Sequence, residues 1–66
     1  MKPRSIVLQV GRYDGTRARA VLFADAHGLE LHAADTEPLR WPMPGHVAHA
    51  YFDTLEHTLR ALGRLP

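Results

Sequence analysis

The last third of this chain constrains its fold most. Val47, Tyr51, Leu55, Leu59 and Leu62 recur at steps of four, four, four and three, the period of one helix face. The expected helix spans about 45–62. Gly63 suits the left-handed position after the last turn, Arg60 and Arg64 suit the negative end of the helix dipole, and Pro66 blocks continuation. Glu56 and Arg60 form a favourable i,i+4 pair. A second reading starts the helix at Asp53, where Asp53-Thr54-Leu55-Glu56 outlines a capping box, and turns 46–52 into a fourth strand. The apolar runs Val47-Ala48 and Ala50-Tyr51-Phe52 do not alternate, so this reading ranks second.

Two turn signatures precede the helix. Ile6, Leu8 and Val10 alternate with Val7, Gln9 and Gly11 in a first strand of about 5–13. Asp14-Gly15 signals a two-residue type I′ hairpin into a second strand, about 17–24. Asp25-Ala26-His27-Gly28 fits a type I turn with a bulge at Gly28, leading into a third strand of about 29–34. In the preferred register Ile6, Leu8, Val10, Val21, Phe23, Leu29, Leu31 and Ala33 face the core. One-residue slips in both turns would replace Val21 and Phe23 by Ala18, Ala20 and Leu22. The preference rests on putting larger side chains inside. Residues 35–44 hold Pro38, Pro42 and Pro44, which bar a regular helix or a central strand. Leu39, Trp41 and Met43 alternate there, as in an ordered connector with room for a short edge strand.

The expected architecture is α+β: a three-stranded antiparallel meander followed by one C-terminal amphipathic helix. Sixty-six residues make one domain, 1–66. A chain this short buries only about 60% of its unfolded surface. It has no cysteine for a disulfide or a thiolate metal site, and small unstapled domains gain stability by assembling. A homodimer is therefore expected. No apolar run approaches the ~18 residues of a membrane span, and the start lacks a signal-peptide pattern. The expectation is a cytoplasmic protein with no membrane association.

The net charge is +1, and seven of the eight positive residues are Arg. This richness in Arg, Ala, Leu and His fits a high-GC bacterial genome. Arg12, Arg17 and Arg19 converge at the expected hairpin tip, with Arg12 across from Arg17. A planar guanidinium suits phosphate, so this tip is the candidate nucleic-acid or anion contact. The competing view is a solvated tip balanced by Asp14. Trp41, between Arg40 and Pro42, is either an interface anchor or a lid over the core. His46, His49, Asp53, Glu56 and His57 share the polar helix face, where spacings of three and four permit a metal site. No H-E-x-x-H pattern exists, so a solvated polar face ranks above a metal site. Ser5 is the only serine and lies outside any nucleophile motif. No catalytic residue, cofactor or resident metal is expected.

One pattern resembles a known family. Asp14-Gly15, Phe23-Ala24-Asp25, Gly28 and Asp35-Thr36, then Pro44-Gly45 and Asp53-Thr54-Leu55-Glu56, are similar to the HicB antitoxin pattern. The resemblance implies a hairpin, a third strand and a helix, in a domain that neutralises an RNA-cleaving partner. No site residue transfers with it. The expectation from the residues themselves is a small, non-enzymatic interaction module, a bacterial accessory or regulatory homodimer. The alternatives are a nucleic-acid-binding dimer using the arginine hairpin, a HicB-like partner-binding domain and, more remotely, a metal site on the helix.

Overall fold

The computed structural model describes residues 2–34 and 36–65. Met1, Asp35 at the start of the connector, and Pro66 as the expected helix stop lie outside the described residues. The elements are β1 (Arg4–Gly11), β2 (Arg17–Ala24), β3 (Gly28–Ala33), β4 (Leu39–Pro42) and α1 (Gly45–Ala61). The strands form one antiparallel sheet in the order β1-β2-β3-β4. The class is α+β with the helix after the sheet, and 46–52 is helical.

The sheet has four strands where the sequence suggests three. β4 forms inside the connector, with Leu29 opposite Trp41 and Glu30 opposite Arg40. Arg40 Nε donates to Glu30 Oε1 at 2.7 Å, and Met43 N donates to His27 O at 3.0 Å. Its prolines confine β4 to the sheet edge.

The register is the slipped one, and the turns explain why. A type I′ turn needs positive φ at both central residues. Asp14 does not adopt it; only Gly15 does, at φ 85°. Asp14 instead accepts from Thr16 N at 2.9 Å and Thr16 Oγ1 at 2.6 Å. The loop thus holds three residues, closed by Arg12 N to Thr16 O at 2.9 Å. At the second turn Asp25 Oδ1 accepts from His27 N and Gly28 N, and Asp25 N donates to Gly28 O at 3.1 Å. That loop holds two residues, Ala26 and His27, and Gly28 is the first residue of β3. Each change shifts the pairing by one residue and flips β2. Leu8 therefore faces Ala20, and Leu22 faces Leu31. Ala20, Leu22 and Ala24 are buried, while Val21 and Phe23 lie on the opposite face.

Bulk inside turns out to be the wrong criterion, because the helix approaches closely over alanines. Ala20, Ala24 and Ala48 are each at most 1% exposed, and Phe52 at 1% is the one large side chain buried completely among the described residues. α1 packs across β2 and β3. Arg4 pins β1 to it: Nη1 lies 2.6 Å from Asp53 Oδ1, and the guanidinium sits 4.4 Å from the Phe52 ring centroid.

The helix end matches the expected glycine stop. Gly63 has φ 70°, Gly63 N donates to Arg60 O at 3.1 Å, and Arg64 N donates to Leu59 O at 2.9 Å, the two bonds of a Schellman motif. The chain then turns back, so that Gln9 N donates to Arg64 O at 3.2 Å and Leu65 packs on the core.

The Thr16 hydroxyl, followed by its amide, holds the Asp14 carboxyl below its ordinary value of 3.8. A lowered native value means stability that is present above about pH 4 and lost as pH falls through the native value. Melting midpoints of the parent should drop between pH 4 and pH 2, and those of Asp14→Asn should drop less over the same window.

Candidate functional site

The helix does not cover the whole sheet. Ion pairs from Arg4 to Asp53 and Glu56 tie one flank of α1 to the start of β1. The other flank stands over β3 and β4 and leaves a trough of about 610 Å³. Leu22, Leu29, Leu31 and Met43 form its floor and side, Trp41 one rim, and Tyr51, Leu55 and Leu59 the helix rim.

This trough changes the meaning of the helical stripe. The buried helix residues are Ala48 and Phe52. Of the periodic set, Tyr51 is 54% exposed, Leu55 39% and Leu62 66%. Of the stripe expected to form the core, Tyr51, Leu55 and Leu59 line the trough, Leu59 also packs against the core, and the fully buried line of Ala48 and Phe52 runs beside it. A signal for this was available. Apolar residues at 47, 48, 51, 52, 55, 59 and 62 occupy two adjacent lines of the helix, wider than one seam over a sheet needs.

Trp41 is 44% exposed on the trough rim. It stands beside the core and does not seal it. Leu39, 54% exposed, continues the same edge. The trough is almost wholly apolar, with Thr54 among its few polar neighbours. It can take up hydrocarbon or aromatic surface, but it offers no convergent acid, base or nucleophile.

The arginine tip is rearranged by the register. Arg12 faces Thr16, and Gly11, not Arg12, faces Arg17. Arg17 and Arg19 share the sheet face away from α1, while Arg12 lies one position out of phase at the loop. Arg17 and Arg19 are exposed and carry no ion pair among the described residues.

Comparison with protein-family models, curated proteins and solved structures finds no match. The HicB-like pattern therefore stands on its residues alone. Asp14, Gly15, Asp25 and Gly28 are occupied in turns, and Pro44 precedes the helix as its N-cap residue.

The polar helix face does not gather ligands. Asp53 and Glu56 point to Arg4, and Arg60 lies 3.7 Å from Glu56. Among the described residues no three His, Asp or Glu side chains converge to hold a metal ion. No helix there is long and apolar enough to cross a membrane.

Proposed function

We propose that this protein is a non-enzymatic interaction module that works as a homodimer, each copy offering the α1–β4 trough to the other. The observation that carries the reading is surplus surface. A compact monomer of 7.4 kDa exposes about 4,200 Å², whereas this chain exposes 4953 Å². The excess is close to the ~800 Å² each partner contributes to a standard interface. The molecule is also thin, 36 × 27 × 15 Å, so one face of the helix layer lacks a second layer to pack on.

The second copy is favoured as occupant because the exposed ridge and the trough are adjacent and apolar. A two-fold axis would bring the Tyr51–Leu55 ridge of one copy onto the trough of the other and the reverse. Strand addition at β4 is opposed by Pro38 and Pro42. The bacterial accessory or regulatory role follows as part of the same proposal, since the site supplies contact surface and no reaction chemistry.

Light scattering after size exclusion at micromolar concentration should give about twice 7.4 kDa. Leu55→Glu, at a half-open position, should give a folded species of half that mass. A parent that is monomeric at every concentration, or a Leu55→Glu variant that stays dimeric, overturns the reading.

A further inference from the structure

The sheet face opposite α1 carries a different chemistry. Phe23 and His32 stand on it with ring centroids 5.0 Å apart in an edge-to-face arrangement at 71°. Val21 lies directly across from His32, and Val7 across from Val21. Val7 is 41% exposed. Along β2, two residues beyond Val21 toward the hairpin, come Arg19 and then Arg17. Arg19 and Phe23 are thus about 13 Å apart along the strand. Glu30 is the carboxylate on this face beside the rings: its Oε2 lies 3.7 Å from His32 Nε2, and its Oε1 accepts from Arg40 Nε at 2.7 Å.

We propose that this open face binds single-stranded nucleic acid, with a base stacked on the Phe23 ring beside His32 and the phosphates on Arg17 and Arg19. The physical requirements for such a site are modest and specific. A flat sheet presents an aromatic ring to a base without a groove. Cations in line with the ring take the backbone, and guanidinium forks suit phosphate oxygens. Two arginines without a carboxylate partner meet that need at low cost, because no ion pair must be broken. The near-zero net charge does not oppose it, since the acids paired in the structure, Asp53, Glu56 and Glu30, sit with Arg4, Arg60 and Arg40. At the hairpin end the one nearby carboxylate in the sequence is Asp14, held by Thr16, against Arg12, Arg17 and Arg19, so that end keeps a positive excess. A duplex fits less well, because its bases are already stacked on each other. The inference is independent of the dimer, whose proposed interface lies on the other side of the sheet.

The test is fluorescence anisotropy with end-labelled 12-mers of deoxythymidine and of uridine, and a duplex of equal length, across a salt series. Both single strands should bind at low salt, and the duplex more weakly. Phe23→Leu, which keeps an apolar side chain of similar size, should weaken binding about fivefold or more. Arg17→Ala with Arg19→Ala should lower the slope of log affinity against log salt by about 1.4. Circular dichroism would establish that each variant retains the fold. Leu55→Glu should still bind. Absence of single-strand binding at low salt overturns the proposal. So does equal or tighter binding of the duplex, or affinity indifferent to Phe23→Leu in a folded variant.

Discussion

Phe52→Ala is expected to remove about half or more of the folding stability. Phe52 is 1% exposed and is the one large side chain fully buried among the described residues. The core around it consists of Leu8, Leu22 and Leu29 with three alanines. Alanines cannot close over a lost ring, so the cavity would persist and the cost should reach about 3–5 kcal/mol. A domain of this length has roughly 3–10 kcal/mol in total. The ring is also the seat of the Arg4 guanidinium, which would lose its aromatic partner. Leu55→Ala, at a 39% exposed position, should cost much less within one copy. Urea titrations of the two variants decide the matter. A Phe52→Ala protein that unfolds as cooperatively as the parent, at nearly the same midpoint, would mean that the core lies elsewhere.

Gly28→Ala is the second large effect. Gly28 has φ 147°, a backbone conformation that side-chain-bearing residues rarely adopt. A Cβ there would collide with Trp41 O and press on Met43 N and Pro42 Cα at 3.0 Å. These are backbone atoms, so relief requires β4 to move and not merely a rotamer to change. Strain and overpacking together should cost about 2–4 kcal/mol. The loss should concentrate on β4: its amides should exchange faster than those of β2, and Trp41 fluorescence should shift to the red. Equal protection of β4 in the variant and the parent would contradict the close approach at Gly28.

The helix and its stop were legible in the sequence because they depend on local chemistry. The period from Val47 to Leu62 and the left-handed preference of Gly63 act within one turn of chain. The strands were legible for the same reason. What failed was parity. A single backbone angle at Asp14 decides whether the first loop holds two residues or three, and that choice selects the buried face of β2. Asp-Gly is compatible with both. The Thr16 hydroxyl that draws Asp14 into the longer loop is a clue visible in the sequence, but only once side-chain acceptance from Thr16 is weighed against type I′ geometry. The rule of placing the largest residues inside also failed at Ala20 and Ala24. Their smallness admits the helix, an effect of packing distance that no single strand displays. β4 was legible only as room for a short edge strand, because its prolines forbid a central strand but not an edge. At the site, Trp41 was singled out by its type, whereas the trough beside it depends on how α1 sits over β2 and β3, a matter of tertiary packing that no single segment displays.

The backbone bond from Gln9 to Arg64 has a consequence for the order in which the molecule is made. β1 leaves the ribosome before the other elements of this fold, and its outward amides alternate along a strand free of proline and of internal charge from Ser5 to Gly11. Such a border invites pairing with a neighbouring chain. The residues that shield it, Arg64 and Leu65, and those that hold its first residue, Asp53 and Glu56, emerge after all four strands. An early strand of the fold is thus completed by a late segment, and the border of β1 stays open until the chain through Leu65 has left the ribosome and folded back.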